Sequence, residues 1–172
     1  MSNRTTSMKG TKFALEGPEL KVGDKAPDFT LQQKTDSGIE DVRLADFAGK
    51  TLLLSVVPSL DTAVCAIQTK TFNERASQLS DRVAILTVST DLPFAQARFC
   101  GAEGIDKIQS ASDHRDVSFG KAYGVLISAG PLERVLSRAI FVVGPNGDLK
   151  HVEYVAEVPD HPNYDAALSA TA

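Results

Sequence analysis

The chain has 172 residues, 42% of them hydrophobic, which is enough for one buried core and short for two. Its 18 basic and 22 acidic residues give a formal net charge of -4, so neither nucleic acid nor an anionic membrane is an expected partner. The N-terminal segment lacks the apolar core of a signal peptide, and no stretch approaches the roughly 18 apolar residues of a membrane span. We therefore expect a single cytoplasmic domain over residues 1–172, with about the first ten residues poorly ordered.

The first predicted elements are short and extended. The segment 11–24, TKFALEGPELKVGD, forms two extended runs around Gly17 and Pro18, a pair of residues typical of a turn. This pattern predicts an N-terminal β-hairpin at that position. A further short strand is predicted in 26–33, before a loop that leads to Gly49.

From residue 51 onwards, buried strands and helices alternate. TLLLSVV and VAILTVS are continuous apolar runs with β-branched residues, which are typical of strands covered on both faces. Helical spacing of apolar residues follows each run, and Asn146-Gly147 marks the turn of a late hairpin. The predicted strands are 51–57, 83–89, 138–144 and 149–155, and the predicted helices are 63–79, 91–104, 115–125 and 164–170.

This order of elements predicts the α/β fold class. Short crossovers imply right-handed connections and a central mixed β-sheet flanked by α-helices. The order is that of a thioredoxin-like fold with an N-terminal β-hairpin, although periodicity alone does not separate it from other small α/β sheets. No repeat, linker or low-complexity block divides the chain.

The chain contains only two cysteines, Cys65 and Cys100. Two are too few for a disulfide-dense secreted scaffold, and a separation of 35 positions is not the spacing of a metal site. In a reducing compartment such a pair is either inert or redox-active.

Cys65 lies where a predicted strand gives way to a helix. Pro58 ends the strand, and Asp61 or Thr62 can cap the helix, so the cysteine falls in the first helical turn. The unpaired backbone N–H groups and the positive end of the helix dipole favour a thiolate there. Two readings stay open for each residue. Cys65 is a buried inert thiol or a nucleophile, and Thr62 is a cap, a ligand for a substrate oxygen, or both.

The segment PSLDTAVC, residues 58–65, fits a Pro-x-x-x-Thr-x-x-Cys pattern, and through it the chain resembles the peroxiredoxins. DLPFAQARFCGAEG, at 91–104, resembles the thiol peroxidase subfamily in particular. AYGV, GPL, RAIFVV and YDAAL follow in the same order, so the resemblance covers most of the chain. Ala63 is a departure, because relatives often carry proline or another small residue there, and this position shapes the helix start rather than the chemistry.

The resemblance implies a role for five residues. Cys65 matches the peroxidatic cysteine, which attacks the peroxide and becomes a sulfenic acid, and Cys100 matches the resolving cysteine, which forms an intramolecular disulfide with it. Thr62 matches the residue that hydrogen-bonds the sulfur and the peroxide oxygens, and Pro58 matches the one that shields the pocket. Arg138 matches the active-site arginine, although taken alone it would be an ordinary charge before a buried strand.

The resemblance therefore implies an enzyme that reduces hydrogen peroxide and organic hydroperoxides and is recycled by thioredoxin. It also implies a homodimer, no cofactor and no metal, and local unfolding around both cysteines on oxidation. The sequence contains no dinucleotide fingerprint and no phosphate-binding loop.

Two other functions compete with this one. A thioredoxin-type disulfide oxidoreductase is disfavoured because its Cys-x-x-Cys motif would need a cysteine at position 68, which is Gln68. A peroxide-sensing redox switch or binding module would begin with the same sulfenic acid, so the sequence leaves it open as an added role.

Overall fold

A computed structural model describes residues 3–172 and contains a seven-stranded sheet, a three-stranded sheet and four α-helices in that part of the chain. The strands are β1 (Thr5–Met8), β2 (Thr11–Glu16), β3 (Thr30–Thr35), β4 (Gly38–Arg43), β5 (Thr51–Val56), β6 (Val83–Ser89), β7 (Gln109–Ser112), β8 (Leu126–Ile127), β9 (Ala139–Val143) and β10 (Leu149–Tyr154). The α-helices are α1 (Ala63–Ala76), α2 (Pro93–Glu103), α3 (Ser118–Ala122) and α4 (Tyr164–Ser169), and a 3-10 helix covers Leu44–Phe47. None of the helices in residues 3–172 is long and apolar enough to cross a membrane.

The large sheet has the order β10-β9-β5-β6-β7-β3-β4. Strand β5 runs parallel to β6 and antiparallel to β9, and β6 runs parallel to β7, so the sheet is mixed. Every residue of β5 is buried, as expected for a central strand that is covered on both faces. The carboxyl ends of β5 and β6 lie at one edge of the sheet, and the chain leaves them towards α1 and α2.

Helices cover the sheet on both faces. Because successive strand residues point to opposite sides, Leu53 and Ile140 face a layer that contains Phe72 of α1 together with residues of α2 and α4. Leu54 and Phe141 face the other way, towards a cluster that includes α3 and the 3-10 helix. The two cysteine-bearing helices, α1 and α2, therefore lie on the same face of the sheet.

The N-terminal hairpin exists, but the sequence prediction placed it wrongly. It joins β1 to β2 through Lys9 and Gly10, which both have positive φ angles of 52° and 83°, as a tight hairpin turn requires. Gly17 serves a different purpose, since a Cβ there would lie 2.0 Å from the backbone oxygen of Lys121. Gly17 is needed for this close backbone contact with α3, and the segment 18–29 after it forms no strand.

The start of the chain also differs from the expectation of about ten poorly ordered residues. Residues 1 and 2 lie outside the described residues. Thr5–Met8 forms a paired strand in which Thr6 is buried and its hydroxyl donates to the backbone oxygen of Ala156. This segment is ordered because it is paired on both sides. Its polar composition gives no sign of that pairing.

Candidate active site

The site lies in the connection between the end of β5 and the start of α1. The backbone N–H of Val57 still bonds to Val88 of the neighbouring strand, and Pro58, which has no N–H to donate, ends this pairing. Thr62 occupies the N-cap position of α1, with extended backbone angles, and Cys65 is the third residue of the helix. The prediction that the cysteine lies in the first helical turn is confirmed.

Two polar side chains contact the sulfur of Cys65, which is fully buried. The Thr62 hydroxyl lies 2.6 Å from Cys65 Sγ and 2.9 Å from the backbone oxygen of Ser59. Arg138 Nη2 lies 3.4 Å from the same sulfur. In the described part of the chain the Thr62 side chain forms no capping bond to α1, so its hydroxyl is directed at the sulfur instead.

Only 1% of Arg138 is exposed, and hydrogen bonds hold its guanidinium group in place. Its Nη1 donates to Gln68 Oε1 at 2.8 Å, and its Nη2 and Nε donate to the backbone oxygen of Val158 at 2.8 and 3.2 Å. Because a guanidinium stays protonated, the site contains a fixed positive charge beside the sulfur. Such a charge stabilises negative charge on Cys65 and on oxygen atoms that react with it.

Gln68 is a site residue that the sequence reasoning missed, because it was considered only as the absence of a second cysteine. Its side chain is fully buried, accepts from Arg138 and donates to the Ser55 hydroxyl at 2.8 Å. Residues three apart share a helix face, so its position after Cys65 on α1 was a usable signal. Gln68 fixes the guanidinium against the central strand β5.

A cavity of about 290 Å³ opens beside this cluster. Its lining includes Pro58, Thr62 and Arg138, three of the residues that the sequence predicted for the site. The remaining lining residues are mostly apolar: Met8, Ser59, Ala63, Val64, Leu132, Val135, Val158 and Pro159. The cavity can therefore admit a small molecule with an apolar part to the two side chains that contact the sulfur.

Cys100 lies apart from this cluster. It is half-buried on α2, its Sγ is 3.4 Å from the Ser110 hydroxyl on β7, and it lines a separate cavity of about 190 Å³. Burial raises the pKa of the Cys100 thiol, and the contact with Ser110 offsets part of that effect. Strands β5 and β6 separate β7, which carries Ser110, from β9, which follows Arg138, so the strands beside these two sulfur contacts are about 14 Å apart across the sheet.

The structure thus brings four of the five predicted residues together and leaves the fifth elsewhere. Cys65, Thr62, Pro58 and Arg138 share one site, whereas Cys100 lies on α2 and lines a different cavity. Phe99 connects the two regions, since it packs against the apolar cluster around Cys65 as well as against the one beside Cys100.

Comparisons of the sequence point to one family. The family model that matches the chain is described as Redoxin and covers residues 21–168. The chain is 50% identical over 164 residues to the thiol peroxidase of Bacillus subtilis, with 95% of this chain and 94% of that protein covered. It is 49% identical over 164 residues to the thiol peroxidase of Listeria innocua, with 95% of both covered.

Comparisons of the structure agree with those of the sequence. A peroxiredoxin-like protein from Aquifex aeolicus superposes with a TM-score of 0.90 at 39% identity, covering 98% of this chain and 95% of that one. A thiol peroxidase from Chromobacterium violaceum superposes with a TM-score of 0.86 at 22% identity over the same shares, which shows the shared fold. The predicted α/β, thioredoxin-like fold is confirmed.

Proposed function

Because the chain belongs to the Redoxin family and is a thiol-dependent peroxidase, we propose a two-cysteine cycle in which Cys65 reduces the peroxide and Cys100 resolves the product. One observation carries this proposal. A buried cysteine sulfur, in the first turn of a helix, is contacted by both a hydroxyl and a guanidinium that line an open cavity.

The first step is attack of the Cys65 thiolate on the terminal oxygen of a hydroperoxide. The S–O bond forms as the O–O bond breaks, Cys65 becomes a sulfenic acid, and the leaving oxygen takes a proton to become an alcohol or water. Negative charge moves from sulfur to the leaving oxygen during this step. Arg138 and the Thr62 hydroxyl are positioned to stabilise that charge throughout the transfer, because both already contact the sulfur.

The surroundings of the two cysteines differ in the way that separate peroxidatic and resolving roles require. Cys65 has the guanidinium and the helix N-terminus beside it, whereas burial raises the pKa of Cys100 and keeps it a thiol. A thiol is a poor nucleophile towards peroxide, so Cys100 is spared in the first step. Its reaction is with the electrophilic sulfur of the Cys65 sulfenic acid, which releases water and leaves a disulfide.

Formation of that disulfide requires movement of α1, of α2 or of both. Disulfide-bonded cysteines have Cα atoms about 4.4–6.8 Å apart, and the contacts of the two sulfurs lie on opposite sides of β5 and β6. The start of α1, the part of α2 around Cys100, or both must therefore unfold locally before the bond can form.

The shape and lining of the cavity support the proposal that organic hydroperoxides are substrates in addition to hydrogen peroxide. Its apolar lining, with Met8, Val64, Leu132 and Val135, suits an alkyl group next to the polar pair of Thr62 and Arg138. Burial of that alkyl group would contribute binding free energy that hydrogen peroxide cannot provide.

The finer features of the cycle are also part of the proposal. The disulfide must be reduced by a dithiol protein, and thioredoxin is the donor that we propose, acting in the cytoplasm on a homodimeric peroxidase. The similarity to thiol peroxidases supports a peroxidase cycle and disfavours a purely sensory or binding role for the same disulfide.

The proposal is tested by comparing Cys65→Ser with Cys100→Ser. We expect Cys65→Ser to abolish peroxide consumption and the labelling of sulfenic acid by a dimedone-type probe. We expect Cys100→Ser to form the sulfenic acid once but to lose turnover with thioredoxin and its reductase. Full activity in Cys65→Ser would refute the mechanism, and one oxidation per wild-type chain without sustained turnover would support the sensor instead.

A further inference from the structure

Asp91 links the two cysteine-bearing segments in a way that the cycle above does not use. Its Oδ1 accepts from the Ser59 hydroxyl at 2.7 Å, and its Oδ2 accepts from the backbone N–H of Leu60 at 2.8 Å. Both partners belong to the loop that leads into α1 and Cys65. Asp91 precedes α2 but does not cap it, because the N-cap is Leu92 and the carboxylate bonds to the neighbouring loop instead.

The same carboxylate reaches α2 through one hydroxyl. Ser89, which is fully buried at the end of β6, donates to Asp91 Oδ2 at 2.7 Å and accepts from Gln96 Nε2 at 3.0 Å. Gln96 is 1% exposed and also donates to the backbone oxygen of Ala111 at 2.9 Å. It lies one helical turn before Cys100, so it anchors the part of α2 that carries this cysteine.

These contacts form a continuous connection from one cysteine segment to the other. It runs from the Ser59–Leu60 loop to Asp91, then through Ser89 to Gln96 on α2. Hydrogen bonds to an ionised carboxylate are stronger than those between neutral groups. The two cysteine-bearing segments are therefore connected to each other through a single charged group.

We propose that Asp91 is a positioning residue for the second step, a clamp that keeps both cysteine segments folded and thereby sets the rate at which the Cys65 sulfenic acid is resolved. This inference rests on the proposed function. The step it controls is Cys65–SOH plus HS–Cys100 giving the Cys65–Cys100 disulfide and water, with no other reactant. A stronger clamp favours the folded form, prolongs the life of the sulfenic acid and exposes it to further oxidation by excess peroxide to the sulfinic acid.

Asp91→Asn is the direct test, because it keeps the shape of the side chain and removes its charge. The amide retains one acceptor oxygen, while its NH₂ group cannot accept from the backbone N–H of Leu60 or the hydroxyl protons. The experiment mixes reduced protein with one equivalent of hydrogen peroxide and follows sulfenic acid and disulfide by rapid quenching and mass spectrometry. We expect disulfide formation to be about tenfold faster and Cys65 sulfenic acid formation to change by less than about threefold.

Two further variants keep the test decisive. Ser89→Ala removes the link to Gln96 without altering the α1 loop, and it should accelerate disulfide formation in the same direction even if Asp91→Asn folds poorly. Asp46→Asn is the matched control, since the Asp46 carboxylate accepts a backbone N–H from Arg43 at 2.8 Å on the opposite side of the sheet. It should leave both rates unchanged.

A second readout separates a clamp from a merely structural role. With excess peroxide, Asp91→Asn and Ser89→Ala should accumulate several-fold less Cys65 sulfinic acid than the wild type and the Asp46→Asn control. The clamp would be refuted if the rate of disulfide formation were unchanged in both clamp variants. It would also be refuted if the rate of Cys65 sulfenic acid formation fell by a larger factor than the rate of disulfide formation changed. Neither result would refute the proposed function. A wild-type protein that forms no Cys65 sulfenic acid would instead refute the proposed function.

Discussion

The most specific prediction concerns Thr62, whose hydroxyl lies between two acceptors. It is 2.6 Å from Cys65 Sγ and 2.9 Å from the backbone oxygen of Ser59, and its single proton can serve only one of them at a time. A thiolate is the stronger acceptor because it carries a full charge. Thr62→Val replaces the hydroxyl with a methyl group of similar size, so it removes the donor while preserving the shape of the cavity wall.

The expected cost falls on the reaction rather than on the fold. A hydrogen bond to a charged group contributes about 1.5–3 kcal/mol, so its loss from the transition state should slow peroxide attack about 10- to 150-fold. An N-cap side chain contributes typically about 1 kcal/mol to stability, but the Thr62 side chain forms no such bond in the described structure. We therefore expect the free energy of unfolding to change by less than about 0.5 kcal/mol.

The assay measures the second-order rate constant of Cys65 oxidation by stopped-flow or rapid quenching. Urea unfolding of the reduced protein gives the free energy of unfolding of each variant. Thr62→Ser, which keeps the hydroxyl, is the matched control and should stay within a few-fold of the wild-type rate. If Thr62→Val oxidised at the wild-type rate but lost about 1 kcal/mol of stability, Thr62 would be a helix cap and the reasoning would be wrong.

Two further predictions follow from buried charges. Arg138→Lys should slow Cys65 oxidation about 10²- to 10³-fold, because one ammonium group cannot reproduce the spread of guanidinium contacts to Cys65, Gln68 and Val158; a loss of less than tenfold would contradict this role. Burial raises the pKa of Asp113 from 3.8 to about 6, partly offset by hydrogen bonds from the backbone N–H groups of Gly120 and Phe119. Its contribution to stability should therefore be fully present below about pH 4 and be lost as the pH rises through about 6, and Asp113→Asn should flatten that part of the pH profile; an NMR midpoint near 4 for this carboxyl would refute it.

Sequence reasoning worked best where a local pattern has one structural meaning. Continuous apolar runs with β-branched residues are typical of strands in a covered sheet, and β5 and β6 lie where such runs predicted them. The strand–proline–helix pattern likewise places Cys65 correctly, because chain direction and capping are local properties. Helix ends were less exact: the helix predicted over 63–79 ends at Ala76.

It failed where a residue's partner is remote in sequence. Gly17 suggested a turn, but its role is set by Lys121 and Gly124, more than a hundred positions away. Gln68 and Asp91 belong to the polar framework of the site only because the sheet brings Arg138 and Ser59 to them. No spacing rule in the sequence expresses contacts of that kind.

The central claim is that Cys65 is oxidised first and Cys100 second within one chain. The most direct test adds one equivalent of hydrogen peroxide to reduced protein, stops the reaction at increasing times and maps both cysteines by mass spectrometry. The cycle predicts a Cys65 sulfenic acid that decays as a Cys65–Cys100 disulfide appears, with Cys100 never oxidised alone. Consumption of peroxide with Cys65 still reduced, or sulfenic acid arising first at Cys100, would contradict it.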